Sequence, residues 1–389
     1  MEMSTTSPTP NSTFVPVAGL SVFALASGYL MSLIPLSLPS FGLDVSLAPW
    51  LASVFYLGLL LGATGVEPVV ARIGHRFSFV LFLAALLLTI TLMIALPSAN
   101  VWLVARLLAG IAVAGVFVVV ESWLLMADTP KQRAKRLGLY MTSLYGGTAL
   151  GQLGIGQFGT QGLLPYALIC LLLLIAILPP LLIRKGQPCR QGHQKIAWRE
   201  LRGLSRPAIM GCLVSGLTLG PIYGMLPVYI KAQTGSESQT GLMMAMVILG
   251  GMVVQPLVSY LSPRMSKSLL MAFFCLIGAA SVFMLVISQD ALMLTLAYSL
   301  LGASTFALYP IAITLACDSM SANKIVAATQ FMLLSYSIGS VVGPLLASSF
   351  NSMQYSLLMY LGPCLFSTCI YMLIKSFRAP RDQQPLATQ

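Results

Sequence analysis

Leu168-Ile169-Cys170-Leu171-Leu172-Leu173-Leu174-Ile175-Ala176-Ile177-Leu178 carries no charge and shows no alternation of polar with apolar side chains. A strand of a membrane β-barrel would alternate over about ten residues, so this stretch reads as a helix embedded in hydrocarbon. Outward from it, runs long enough to cross about 30 Å of lipid recur along the chain. They place twelve spans near 17–39, 47–70, 78–97, 100–126, 137–160, 163–183, 208–231, 241–262, 269–288, 291–316, 325–349 and 354–375. Of the 389 residues, 57% are hydrophobic and 8% charged, whereas soluble domains carry about a quarter charged residues. The expected fold class is all-α integral membrane, with twelve transmembrane helices.

The formal net charge of +11 is explained by where the charges fall. Of 21 Lys and Arg, 19 lie in one alternating set of segments, 72–76, 131–136, 184–206, 264–267, 324 and 375–381. The opposite set holds only Lys231, and Arg106 lies inside a span. Retention of Lys and Arg on the cytoplasmic side produces this split, so both termini and the central loop are expected in the cytoplasm, and no nucleic-acid partner is implied. Residues 1–15 lack Lys and Arg, hence the basic region of a cleaved signal, and the first run reads as a retained span. The seven Cys are scattered, with Cys189 in the central loop and the others in or beside spans. No disulfide, metal or cofactor is expected from that spacing. His75 and His193 read as solvated loop residues.

The longest loop divides the spans six and six. The expected organisation is a tail (1–16), a six-helix bundle (17–183), a linker (184–207), a second six-helix bundle (208–375) and a tail (376–389). The linker mixes Arg and Lys with Ile196, Trp198, Leu201 and Leu204, fitting either an amphipathic helix on anionic headgroups or a solvated connector. Sliding the chain against itself by 192 residues superposes Gly28 on Gly220, Pro35 on Pro227, Gly58 on Gly250, Arg72 on Arg264 and Gly110 on Gly302. Ser143, Gly147 and Gly151 meet Ser335, Gly339 and Gly343 at the same offset. An even number of spans per half relates the halves by a pseudo-two-fold axis along the membrane normal, with a site expected at their interface near the midplane.

After the second span comes Glu67-Pro68-Val69-Val70-Ala71-Arg72-Ile73-Gly74-His75-Arg76. It resembles the loop signature of the major facilitator superfamily, Gly-x-x-x-Asp-Arg-x-Gly-Arg-Lys, with Glu67 and Ala71 in place of its first Gly and its Asp. The mirror loop keeps Arg264 and Lys267. An Arg here can latch helix C-terminal carbonyls or carboxylates, or serve only to hold the loop inside. In the fourth span, Arg106-Leu107-Leu108-Ala109-Gly110 resembles the superfamily's Arg-x-x-x-Gly motif. Arg106 and Glu121 lie on one helical face, about 22 Å apart along the axis. Ionisable groups inside spans are functional candidates. For Arg106 the choices are contact with substrate or snorkelling to the outer interface. For Glu121 they are proton carriage or pairing with Arg72 or Arg76. At the repeat offset Arg106 meets Tyr298 and Glu121 meets Ile313, so these charges stand outside the shared scaffold.

The fifth span lacks the Pro of the antiporter signature Gly-x-x-x-Gly-Pro, Gln152 standing in its place, while the eleventh span has the complete form ending Gly343-Pro344. Further strings, Val118–Ser122, Leu219–Pro227, Leu308–Ala312 and Leu334–Ser340, resemble the YcaD-like bacterial branch of the superfamily across essentially all twelve spans. The resemblance implies a multi-pass protein of the bacterial inner membrane that works as a monomer among lipids. It also implies a secondary transporter working by alternating access on a small molecule. Cavity residues expected from it are Tyr29, Arg106, Gln152, Tyr223, Tyr298, Tyr309, Gln330 and Tyr336. Coupling or gating falls to Glu67, Arg72, Arg76, Glu121 and Arg264, with protons as the expected coupling ion. Efflux of a small amphipathic compound is preferred over import of a nutrient or metabolite. A non-transporting membrane sensor is the reading of a different class, and the short loops and tails speak against it. No catalytic constellation or nucleotide motif is present to suggest an enzyme.

Overall fold

The computed structural model describes residues 13–125, 130–182, 205–318, 325–350 and 356–378. Most of the expected linker, with Cys189 and His193, and most of both expected tails lie outside the described residues. The helices are α1 (Phe14–Ser37), α2 (Ala48–Gly65), α3 (Glu67–Ile73), α4 (His75–Ala95), α5 (Ala99–Leu125), α6 (Pro130–Phe158) and α7 (Leu164–Leu182) in the first half. They are α8 (Arg206–Thr234), α9 (Glu237–Leu261), α10 (Lys267–Ile287), α11 (Ala291–Asp318), α12 (Ile325–Ser348) and α13 (Ser356–Arg378) in the second. Eleven are long and apolar enough to cross a membrane. The twelfth is α6, whose 29 residues suffice in length but whose Gly146, Gly147, Thr148, Gln152 and Gln157 dilute its hydropathy. It can carry them because it packs between α1 and α9 rather than against lipid alone.

The second span is shorter than the expected 47–70. It stops at Gly65, and the short α3 follows, with Pro68 in its first turn. Proline lacks the N–H that would continue the α2 ladder and suits the start of a new helix. Gly74 then separates α3 from α4 at φ +82°, a conformation that glycine adopts without a Cβ clash.

Buried apolar side chains form two large clusters, one drawn from α1 to α7 and one from α8 to α13. The packing repeats with the sequence. In the first half α1 lies on α6, α2 on α5, and α4 on α5 and α7; in the second α8 lies on α12, α9 on α11, and α10 on α11 and α13. The repeated glycines are the crossing points. A Cβ on Gly58 would strike the Leu107 carbonyl, and one on Gly250 would strike that of Ser299. Gly110 faces the Phe55 carbonyl and Gly302 that of Val247; Gly151 faces Leu25 and Gly343 faces Leu217. Each contacted carbonyl is itself 192 residues from its counterpart. In lipid there is little hydrophobic drive between helices, so close backbone approach at small residues supplies the association. The same geometry is thus built twice.

Across the halves, α6 packs on α9 and α2 on α12, with α1 and α2 also touching α8. One end of the bundle carries Arg72, Arg76, Arg264 and Lys267 and is termed the basic end; the other carries Asp44, Lys231, Glu237 and Asp290. Close approaches between the halves are found toward the far end: Gly156 on Ser238, Gly241 on the Gln152 carbonyl, and Gly224 on Ala52.

Candidate functional site

Arg106 sits in the second turn of α5 and is 7% exposed. Its guanidinium lies over the Phe55 ring at 4.1 Å from the centroid, and its Nε is buried without a hydrogen-bond partner among the described residues. Among the described residues no ion pair joins it to a carboxylate. The group therefore stays inside the protein rather than reaching the interface. A desolvated cation–π contact is worth about 2 kcal/mol, while stripping water from an ion without a counter-charge costs several kcal/mol even after relaxation. The charge is under-compensated. It lines a half-open cavity of about 20 Å³ with Ile34 and Pro35 of α1, Leu51 and Tyr56 of α2, and Tyr223 and Gly224 of α8. That volume holds about one water. Both halves contribute to its wall.

From this cavity a series of phenols leads toward the basic end. Tyr56 and Tyr223 share the cavity wall with Arg106, and Tyr145 and Tyr336 lie near them. Phe306 of α11 joins the halves at the centre, its ring 5.6 Å from Tyr145 and 5.9 Å from Tyr223, both edge-on. Tyr309 packs on Tyr336 at 5.1 Å and lies within electrostatic reach of Glu121. Aromatic side chains of α2, α6, α8, α11 and α12 thus gather near the two ionisable groups of α5. Edge-to-face rings with polar tips make a surface that accepts apolar rings and hydrogen-bonding groups alike.

Of the expected cavity residues, the structure brings together Arg106, Tyr223, Tyr309 and Tyr336. Tyr298 instead lies in the core of the second half, near Tyr229. Tyr29 donates to the Gly159 carbonyl at 2.7 Å, at the far end. Gln152 is fully buried, its Oε1 accepting from Ser32 at 2.6 Å while its Nε2 has no partner among the described residues. Gln330 is exposed near the start of α12. Tyr56, Phe55, Tyr145 and Phe306 were not anticipated. Their signal was available only through the repeat and helix facing: each lies on a helix at the seam between halves, but aromatic residues are too common in spans to mark that face alone.

The basic-end residues have separate surroundings. Arg76 is buried and caps α7, its Nε donating to the Pro180 carbonyl and its Nη2 to that of Leu181 at 2.8 Å. Arg72 is exposed and Glu67 partly buried. Arg264 lies over Tyr260 at 3.7 Å and donates to its carbonyl at 2.6 Å. Among the described residues no ion pair joins the exposed Glu121 to Arg72 or Arg76. His75 departs from the expected solvated loop residue. It opens α4, is buried, and its Nε2 lies 3.0 Å from Ser122 Oγ, with its ring against Trp123. The glycine turn at 74 delivers it directly into the helix packing.

At the far end Thr160 of the first half donates to Glu237 Oε1 of the second at 2.5 Å, and Lys231 pairs with the same carboxylate at 3.4 Å. Among the described residues no cluster of His, Cys, Asp or Glu could hold a metal.

The family model described as Major Facilitator Superfamily matches residues 17–344 and again 208–385. A relative described as an uncharacterised MFS-type transporter of Enterobacter sp. (strain 638) is 32% identical over 338 residues, covering 84% of this chain and 86% of its own. YcaD of Escherichia coli O6:K15:H31 (strain 536 / UPEC), described in the same terms, is 32% identical over 336 residues, with 84% and 86% covered. Among solved structures, a single-site mutant of the nucleoside transporter NupG superposes with a TM-score of 0.78 at 11% identity, over 92% of this chain and 98% of that one. An inward-facing, occupied bacterial homologue of the human lysosomal transporter Spinster does so at 0.71 and 14% identity, over 94% of each chain.

Proposed function

The chain belongs to the major facilitator superfamily of membrane transporters, and from that premise we propose that it is a secondary active exporter of a small amphipathic compound. In this reading the two six-helix halves, 17–183 and 208–375, rock about the phenol-lined seam, and the basic end faces the cytoplasm of a bacterial cell. The observation that carries it is the cavity walled by Arg106 and Tyr56 of the first half and Tyr223 of the second, with the Phe306 ring edge-on to Tyr223 beside it. A molecule held there touches each half, so its binding can bias their relative position. The far end is tied by Thr160, Glu237 and Lys231, which is the closure expected of a state that takes up its load from the basic side.

Proton coupling is assigned to Glu121. It is an exposed carboxylate inside a span, near Tyr140 and Tyr309, and the mirror position holds Ile313. A carboxylate that gains and loses a proton as the halves move links flux to a pH gradient. The test is transport by the purified chain in liposomes, after a thermal-shift screen selects a compound. A pH gradient should raise its accumulation several-fold, and cells overproducing the protein should hold less of it than cells lacking the gene. Equal flux with and without the gradient removes the coupling; higher content in the overproducing cells reverses the direction.

A further inference from the structure

We propose that Arg106 is the anchor for an anionic headgroup, a carboxylate on an otherwise apolar organic molecule, and that the cavity around it is the charged pole of the transport site. The inference rests on the transporter reading and narrows it to a substrate class.

More than nine-tenths of the Arg106 surface is buried, and among the described residues its Nε has no hydrogen-bond partner and no carboxylate pairs with it. Buried arginines are ordinarily matched by an acid or by carbonyls, as Arg76 is matched by the carbonyls of Pro180 and Leu181. Among the described residues Arg106 has the face of Phe55 and the nearby phenols of Tyr56 and Tyr166, and no acid or carbonyl. A ring on one face leaves the edge of the guanidinium free, and that edge is the fork that takes a carboxylate through two parallel hydrogen bonds. The hydroxyl of Tyr56, close by, can donate to the same oxygens.

Scaffold duty does not explain the residue. Its counterpart Tyr298 occupies the equivalent place in the second half as a buried core side chain, so the crossing of α5 on α2 does not require a cation. The location suits a substrate. Tyr223 and Gly224 of the opposite half line the cavity together with residues of α1 and α2, so a carboxylate seated on Arg106 meets both halves. The neighbouring surface along Tyr223 and Phe306 is apolar and aromatic, which fits the body of the molecule. Binding of the anion is therefore coupled by geometry to the contact between the halves.

The test uses the full chain in detergent with matched probes that differ only in charge: 3-phenylpropionate, its neutral amide, and 3-phenylpropylamine, with hexanoate and hexanamide as a second pair. Thermal shift and binding titration should show each carboxylate binding at least about tenfold more tightly than its amide, a difference of about 1.4 kcal/mol, and no response to the amine. Arg106→Gln should erase the preference, Arg106→Lys should keep part of it, and Tyr298→Phe should leave it intact. Equal affinity for acid and amide in the wild-type chain, absence of any carboxylate response there, or a preference that survives in Arg106→Gln overturns the assignment. If Arg106→Gln does not fold, the wild-type pairs and Arg106→Lys decide the matter. Flux in liposomes separates the two readings. Amide carried as well as acid sinks the anion site and leaves the transporter. Arg106-dependent binding of the acid without flux leaves the anion site and sinks the transport role proposed for it.

Discussion

The two halves of this transporter share their joints and differ in their charges. Gly58 on Leu107 and Gly250 on Ser299, Gly110 on Phe55 and Gly302 on Val247 are the same contacts made twice. Along α5 and its counterpart α11, however, Arg106 faces Tyr298 and Glu121 faces Ile313 in the alignment of halves. Gln152 likewise stands where α12 has Pro344. Even the caps before α2 and α9 differ in kind: Asp44 accepts from the Ser46 amide at 2.7 Å, and Ser236 accepts from that of Gln239 at 3.3 Å. Packing constrains both copies equally, because a Cβ collides with backbone whichever half it is in. Chemistry does not. One half was free to acquire ionisable groups while the other kept apolar or neutral side chains.

Substitutions at four places probe that contrast. The largest effect is expected at the joints. Gly110→Leu and Gly302→Leu should both abolish monodisperse, folded protein in size-exclusion chromatography, since overpacking against backbone commonly costs roughly 1–3 kcal/mol and here cannot be relieved by a side-chain shift. Gly146→Leu, with open space around it, should fold normally; equal damage at all three positions would end the view that the glycines mark crossings. Next comes the charged pole. Arg106→Gln should cut flux by more than about tenfold with little change in melting temperature, as loss of a buried charge partner costs a bound anion about 2–5 kcal/mol. Tyr298→Phe should transport normally, and parity between the two would show that the halves are not chemically distinct.

A smaller change is expected at the far-end tie. Glu237→Gln removes the pairing with Lys231 and weakens the bond from Thr160, a part-exposed set worth up to about 1 kcal/mol. Labelling of a cysteine at Ser238 by an impermeant maleimide should rise about two- to fivefold, and an unchanged rate would remove Glu237 from the closure. The smallest effect concerns the two caps. The Ser46 amide holds the Asp44 carboxyl below its ordinary 3.8, so its contribution is present above that value and fades as pH falls through the lowered one. Asp44→Asn should narrow the loss of melting temperature between pH 7 and pH 3 slightly, whereas Ser236→Asn should not alter that pH dependence.

Much of the fold was legible because lipid is a strict solvent. A span must be apolar for about twenty residues, and the glycines repeat because no other residue fits a backbone crossing. Arg106 stood out for the converse reason, that a charge in a span is expensive enough to demand a use. The phenols were harder to read. Tyr298 and Tyr309 both lie on α11, yet Tyr298 is a buried member of the core of its own half and Tyr309 packs at the edge of that core against Tyr336. Which Tyr meets the other half depends on helix rotation and depth, and composition records neither. Tyr145 and Phe306 went unanticipated on that account. His75 was misplaced by a boundary: one glycine turn converted an expected loop residue into the first buried position of α4.

The doubled joints also bear on how such a chain can change over generations. Gly147 and Gly151 meet the carbonyls of Ser21 and Leu25 one helical turn apart, and Gly339 and Gly343 meet those of Leu213 and Leu217. Inserting a single residue between two such glycines would swing the second about 100° around its axis and off its partner. Substitutions along these helices can accumulate, whereas insertions and deletions between crossings are purged at once. Two copies that diverged for long enough to lose most of their shared side chains would therefore still keep count, residue for residue.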